Sequence, residues 1–361
     1  VELGVTRVTL FEKGPALGQE STARAMGGVR AQFTTPGNIE FSRYSIGQLE
    51  ALDRTSGGLL SFRQKGYLMF TGSEAAAEEL RRARELQRSL GVETEWLAPA
   101  EVLERAPFVR PDGLIGGTFH RRDGFLDPHG VVAALGKEAR NLGVEMRLRA
   151  GIRAIEQTDG GFGLVLDDGV HHANWVVNAA GAWAARVAAL AGIELPVEPV
   201  RRNLAYVHDP EEKKALIPMC VDVDTGVLCR REEHGGYVLA YSDPDDEPGW
   251  DVSVDPKFLE DLAERVGNRF PMLEELPIDP RHCWAGLYPE TPDHHAIIGP
   301  DERVERFIHC TGFGGHGIMH APAAGRVVAE LIAGREPTLD ASDFAPTRFR
   351  EGRARMETAV F

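Results

Sequence analysis

The run Arg7-Val8-Thr9-Leu10-Phe11 stops on Glu12, and the reading of this stretch decides the fold. Its β-branched and apolar residues favour a strand. An acid at a strand end is what the second strand of a dinucleotide-binding βαβ unit needs, because its carboxylate accepts hydrogen bonds from the ribose hydroxyls of an adenosine. The same acid also reads as a solvated residue closing an ordinary strand. In such units the partner glycine fingerprint lies about 20 residues earlier, which is upstream of Val1. Val1-Glu2-Leu3-Gly4-Val5 accordingly reads as a helix end closed by Gly4. Roughly 25 to 35 further residues, with an apolar strand and a Gly-x-Gly-x-x-Gly turn, are expected before it.

Outward from that strand, helical periodicity covers Asn38 to Leu52, Glu74 to Leu90 and Pro128 to Leu142. From Glu145 the texture turns to short strands: Met146 to Arg149, Gly151 to Gln157 and Gly163 to Leu166, then Trp175 to Asn178. The last runs into Ala179-Ala180-Gly181 and a helix-like stretch from Ala184 to Ala191, so backbone can come close to a flat or charged ligand. Towards the other end, a strand Phe307 to Cys310 leads through Thr311-Gly-Phe-Gly-Gly-His-Gly317 to a helix at Pro322 to Ala333. Backbone N–H groups and the positive end of a helix dipole suit that loop to a negative charge, although glycine loops also serve as plain turns. Residues 196 to 290 are richer in Pro, Asp and strand-like pieces (Ala205 to Val207, Gly226 to Cys229, Gly236 to Tyr241), with one helix at Pro256 to Phe270. The expected fold is α/β (mixed α+β): a Rossmann-type lobe from 1–50, 120–195 and 285–361, and an inserted, mainly antiparallel lobe from 51–119 and 196–284.

A chain of 361 residues, 43% hydrophobic and 26% charged, fits two packed lobes. Its formal charge of -15 repels phosphate backbones and anionic lipid surfaces, leaving only local basic patches such as Arg201-Arg202 to attract an anion. Nucleic acid is therefore not an expected partner. Apolar runs such as Val187 to Ala191 fall well short of the ~20 residues of a membrane span. Cys220, Cys229, Cys283 and Cys310 form no C-x-x-C pair and read as free thiols of a reducing, cytoplasmic compartment. His294 and His295 are neighbours whose side chains point to opposite faces of a strand, so no metal site is expected.

Six stretches together resemble the flavin-dependent amino-acid oxidase superfamily, which includes D-amino-acid oxidase, glycine oxidase and sarcosine oxidase, and within it the β-subunits of sarcosine oxidase and proline dehydrogenase. They are Glu12-Lys13-Gly14, Ser21 to Phe33, Asp123 to Val131, Val176 to Arg186, Trp284 to Pro300 and Thr311 to Gly325. The resemblance implies an FAD lobe and a substrate lobe whose sheet covers the flavin, with FAD bound noncovalently. It implies the adenosine ribose on Glu12, with Lys13 beside it, and the adenine on backbone near Ile152. It further implies cofactor contacts from Ala180, Gly181, Trp183 and Gly286, and flavin-side contacts from Ser21, Thr22, Gly27, Gly28, Val29 and Arg30. The pyrimidine edge falls on Gly314, Gly315, His316, Gly317 and Ile318, with Gly312 a further cofactor contact. Cys310 is no covalent anchor on this pattern. Two departures stand out: the glycine fingerprint is absent, and Met319 stands where monomeric sarcosine oxidases have a Lys that grips the substrate carboxylate.

In such enzymes an amine is oxidised to an imine by hydride transfer to the flavin, and the protein supplies position and charge. An amino-acid carboxylate calls for the planar fork of an arginine, and Arg30, beside the flavin loop, is the first candidate. A neutral amine calls for apolar walls, for which Tyr241, Tyr288, Met319 and Trp284 serve, unless they are plain core. His316 either donates to the flavin or polarises oxygen, or caps the following helix. The expected substrate is a small amino acid or N-methyl amino acid, sarcosine-, glycine- or proline-like, with oxygen or an electron-accepting partner subunit as oxidant. A flavoprotein of assembly or interaction role and an inactive relic are the alternatives.

Overall fold

The computed structural model describes residues 3–209, 215–233, 235–243, 245–274 and 276–360. Strand Thr9–Phe11 runs parallel to Glu145–Arg147, and the amide of Glu12 continues the ladder to Arg147 O at 2.9 Å. The strand is shorter than its sequence suggests because Arg7 takes φ 57°, which interrupts extended backbone. Of the expected helix end, Val1 and Glu2 lie outside the described residues, and Gly4 has φ +89°.

Strand Val176–Asn178 runs parallel to Phe307–Thr311, which pairs on its other side with Ile297–Pro300. Among the described residues neither Thr9–Phe11 nor Val176–Asn178 has a second strand neighbour. A three-stranded antiparallel meander, Ala154–Thr158, Gly161–Leu166 and Gly169–Ala173, lies between these pairs in sequence.

The other half of the fold is one sheet of eight strands, in the order Ile278–Glu290, Glu198–Val207, Tyr237–Ala240, Val227–Arg231, Met219–Asp222, Tyr67–Thr71, Gly116–His120, Glu95–Leu97. Every pairing in it is antiparallel except Met219–Asp222 with Tyr67–Thr71. That parallel seam joins two separate stretches of chain into one surface. Helix Pro256–Arg269 covers one face, burying Phe258, Leu262 and Val266 at helical spacing.

Helix Pro36–Thr55 buries Ile39, Ile46, Leu49 and Leu52, the residues whose spacing predicted it. It packs on helix Gly317–Ile332. The expectation that this last helix starts at Pro322 is corrected: it starts at Gly317 and carries Pro322 inside. Proline favours a first helical turn, which is why the sequence misleads here. Past the proline, the amide of Ala323 donates to Ser45 Oγ at 3.2 Å, so the neighbouring helix completes the interrupted ladder.

One buried ion pair ties the end of the chain to this core. Arg348 is 1% exposed and donates to both carboxylate oxygens of Asp293, at 2.7 and 2.8 Å, and to His295 O at 2.9 Å. Removing one member of such a pair strands the other charge, at a cost of about 3–5 kcal/mol. Arg348→Met is expected to lower the unfolding free energy in urea by about that amount, and adding Asp293→Asn to recover part of it. A single variant as stable as the parent contradicts this account of the core.

Candidate active site

A cavity of about 270 Å³ opens where the two halves meet. The segment from 21 to 30 lends it Ser21, Thr22, Gly27, Gly28 and Arg30. Strand Ile278–Glu290 lends Gly286 and Tyr288, and the turn into the last long helix lends Gly314, Gly315, His316, Gly317, Ile318 and Met319. The large sheet adds Tyr67, Met219 and Leu228, residues the sequence reading did not single out.

Local bonds hold this lining in place. Ser21 Oγ donates to Leu287 O at 2.6 Å and Arg24 Nη1 to Ala285 O at 2.5 Å, while the Trp284 indole N–H donates to Arg24 O at 3.0 Å. Trp284 therefore braces the loop and does not line the cavity. Alternation along the same strand puts Gly286 and Tyr288 on one face. Gly27 has φ +76°, and a Cβ there would lie 2.2 Å from Leu126 O, so only glycine makes this turn. At Gly28 a Cβ would stand 3.1 Å from Tyr67 Oη and Met219 Sδ, filling space that now belongs to the cavity.

Arg30 is 3% exposed. It donates through Nη1 to Gln32 O and through Nη2 to Ala359 O, and its guanidinium lies 3.9 Å above the Phe33 ring. Burial pulls its pKa below the ordinary value, against the opposing charges of Glu357 and Asp123. His316 stands at the N-cap position of helix Gly317–Ile332, but its side chain makes no capping bond. Its Nε2 instead faces Arg30 Nη2 at 3.5 Å, and its ring meets Phe33 edge-on. Burial, and then the charge of Arg30, push its pKa well below 6.5, so the ring is neutral. His320, one turn on, is pushed down to about 3 by the same burial and bonds Ser42 Oγ at 2.9 Å.

The glycine loop is less open than its composition suggests. The amide of Gly314 already donates to Pro289 O at 3.0 Å and that of His316 to Phe313 O at 2.8 Å. The first-turn amides at Gly317, Ile318 and Met319 are those that helix geometry leaves without intrahelical partners.

A second cluster gathers residues outside the cavity lining. Glu12 accepts the Gly14 amide with Oε1 at 2.6 Å, and the Ala150 amide donates to Glu12 O at 2.8 Å. Lys13 Nζ sits 3.2 Å above the Trp183 ring, and Gly181 O accepts from Thr311 Oγ1 at 3.3 Å. Ile152 packs in the neighbouring apolar cluster. Ala180, at the entry to the turn Gly181–Trp183, donates its amide to Asn178 Oδ1 at 3.3 Å, and a Cβ at Gly312 would lie 2.6 Å from Thr291 Cγ2. The predicted site residues thus divide into a cavity group and a group at the ends of the parallel strands.

Some candidates turn elsewhere. Val29 is fully buried in the core beneath the loop. Tyr241 borders the cavity, but its ring stacks on Phe258 and its hydroxyl meets Asp261 at 3.4 Å, so its phenol belongs to the core. His294 bonds Glu290 at 3.1 Å while His295 bonds Thr35 Oγ1 at 3.0 Å, so the two rings diverge. Burial pushes the Cys310 thiol up to about 12. Arg202, signalled in sequence only as half of a basic pair, lines the cavity and bonds Asp246 at 3.0 Å. Tyr67 and Val360 carry no local signal, since only the topology brings them in.

Parallel strands with glycine turns at their ends, facing a large antiparallel sheet across a cavity with a buried arginine, form a nucleotide-binding type of α/β architecture with an enclosed ligand site beside it. Residues 1–331 match the family model described as FAD dependent oxidoreductase (DAO), and the chain belongs to that family. It is 30% identical to FAD-dependent oxidoreductase domain-containing protein 1 of Xenopus laevis, over 96% of this chain and 77% of that protein. To the mitochondrial dimethylglycine dehydrogenase of Rattus norvegicus it is 27% identical, over 96% of this chain and 42% of that protein. Among solved structures, L-proline dehydrogenase from P. horikoshii superposes with a TM-score of 0.90 at 29% identity, covering 97% of this chain and 92% of that one. The protein is an FAD-dependent oxidoreductase, and no helix among the described residues is long and apolar enough to cross a membrane.

The neutral histidines have a measurable consequence. Unfolding frees them to bind protons below their ordinary 6.5, so the unfolded state holds more protons and stability falls as pH falls. For His320 the loss from about pH 6.5 to about pH 5 is expected to be on the order of 1 to 2 kcal/mol. Urea melts of His320→Gln should show a shallower pH dependence over that window than the parent; identical slopes refute neutral burial.

Proposed function

We propose that the protein oxidises the C–N bond of a small amino acid or N-methyl amino acid, sarcosine-, glycine- or proline-like. The observation that carries this reading is Arg30, a buried guanidinium on the wall of a cavity bordered by glycine turns. In an apolar setting a fixed cation of that shape favours a carboxylate, which an amino-acid substrate brings. The names of the rat dimethylglycine dehydrogenase and the P. horikoshii L-proline dehydrogenase point to the same substrate class.

FAD, bound noncovalently, supplies the two-electron acceptor for the hydride. The glycine turns fit such a flat group, because Gly28 leaves open the space a side chain would fill. In this reading Glu12 and Lys13 hold the adenosine end, with Ile152, Ala180, Gly181, Trp183 and Gly312 around it. Ser21, Thr22, Gly27, Gly28 and Gly286 border the flavin side, and Gly314, Gly315, Gly317 and Ile318 take the pyrimidine edge at a helix N-terminus. Arg30 holds the substrate carboxylate. Tyr288 and Met319 wall the amine and exclude water, and His316, neutral beside Arg30, serves as a hydrogen-bonding rather than a charged group.

The lobe borders belong to this proposal: 1–50, 120–195 and 285–361 for FAD, 51–119 and 196–284 for substrate. The eight-stranded sheet supports it, and strand Ile278–Glu290 runs past the border to bring Gly286 and Tyr288 to the cavity. A cytoplasmic, reducing setting is also proposed, supported by four free cysteines. The electron acceptor is oxygen or a partner subunit, separated by whether peroxide forms on turnover.

The test is anaerobic bleaching of the flavin by sarcosine, dimethylglycine, glycine and L-proline. At least one is expected to bleach it; a flavin that none reduces contradicts the reading and favours an assembly or interaction role. Arg30→Lys is expected to raise the KM of the bleaching substrate about tenfold or more with the flavin spectrum intact, because a point charge replaces a two-pronged donor. Loss of FAD instead assigns Arg30 to the cofactor.

A further inference from the structure

The segment Met356–Val360 reaches the cavity from the far end of the sequence. Glu357 is fully buried at its base. Its carboxylate accepts from the Thr34 amide at 3.0 Å, Thr34 Oγ1 at 2.5 Å, Thr35 Oγ1 at 2.7 Å, Asn38 Nδ2 at 3.0 Å and the Ala359 amide at 2.9 Å. Thr34, Thr35 and Asn38 lie at the start of helix Pro36–Thr55, Thr34 being four residues beyond Arg30 along the chain, so the clamp and the arginine share one rigid base. The clamp sets the next residues. Ala359 offers its carbonyl to Arg30 Nη2, and Val360 joins the cavity wall. Burial raises the Glu357 pKa, but these hydrogen bonds outweigh it and hold the group below the usual carboxylate range, so it is an anion at neutral pH whose charge acts on Arg30.

We infer that Glu357 is a positioning residue for substrate recognition, and Val360 a specificity-determining one. By clamping the segment, Glu357 fixes the Ala359 carbonyl that orients the Arg30 guanidinium, and it seats Val360 as the wall that limits the bulk of the substrate. A carboxylate bound by Arg30 meets a fork already aimed, since Nη1 and Nη2 are each tied to a backbone carbonyl. A loosened segment frees the fork to rotate and opens the wall. This inference rests on the proposed role of Arg30.

The test uses the holoprotein and reads binding apart from turnover. The flavin spectrum is titrated with pyrrole-2-carboxylate, and anaerobic bleaching is followed with sarcosine and L-proline. Glu357→Gln is expected to weaken carboxylate binding and raise KM about tenfold, with kcat within about twofold and the flavin retained. Glu357→Asp is expected to recover part of the loss. Val360→Ala should favour L-proline over sarcosine relative to the parent, and Val360→Phe the reverse. Folded, flavin-loaded Glu357→Gln and Val360 variants with parental binding and parental substrate ratios overturn the inference while leaving the proposed function standing. Tighter carboxylate binding in Glu357→Gln also overturns it, by making the segment a plug. A parent that binds pyrrole-2-carboxylate but is bleached by no amino acid defeats the proposed function alone, and the Glu357 variants still decide the inference by titration. A parent that binds no carboxylate defeats both.

Discussion

A guanidinium buried in an apolar wall is the constraint around which this molecule is arranged. Arg30 retains its charge away from water only because its surroundings supply compensation: carbonyls from Gln32 and Ala359, the face of Phe33, and the anions Glu357 and Asp123 at longer range. These partners come from three parts of the chain: the residues just after Arg30, Asp123, and the segment at 357–359. Holding them together requires the helix start at 34–38, the turn at His316 and the segment at 356–360 to meet at one point. The overall charge of -15 makes this local positive site more distinct, since the molecule at large repels an anion.

The surrounding polar interior follows from the same demand. Asp123 accepts from the Ala31 amide at 2.9 Å and from the Gln32 side chain at 3.2 Å, fixing the two residues that follow the arginine. Thr35 Oγ1 bridges Glu357 and His295, and His295 O accepts from Arg348, so the clamp on the segment continues into the buried Asp293–Arg348 pair. Neutral His316 and His320 complete the interior without adding charge next to Arg30. Hydrogen-bonded buried networks of this kind rigidify what they hold.

Much of this was legible in the sequence, for identifiable reasons. Strand–acid, strand–glycine and helix signals are local, so Thr9–Phe11 with Glu12, the turn after Asn178 and helix Pro36–Thr55 could be read from short windows. Ser21, Thr22, Gly27, Gly28, Arg30 and the loop from Gly314 to Ile318 were legible as motifs. The start of the last helix was not, because Pro322 mimics a first turn and the compensating hydroxyl of Ser45 lies in another helix. Tyr67 enters the cavity only through the parallel seam between Tyr67–Thr71 and Met219–Asp222, a pairing that no local pattern announces. The contribution of Val360 depends on a clamp between Glu357 and Thr34, residues at opposite ends of the chain. The phenol of Tyr241 read equally well as wall or core, and Phe258 on the covering helix decided the matter.

The central claim is that Arg30 selects substrates by their carboxylate, and it is tested most directly by comparing amino acids with the same amines lacking that group. Anaerobic bleaching of the flavin is followed with L-proline against pyrrolidine and with sarcosine against dimethylamine, at matched concentrations of the neutral amine. The account predicts that the carboxylated member of the reactive pair bleaches the flavin and that its decarboxylated partner does so at least about a hundredfold more slowly, as expected when a buried charge loses its partner. Comparable bleaching by both members would contradict it and leave Arg30 as a structural cation.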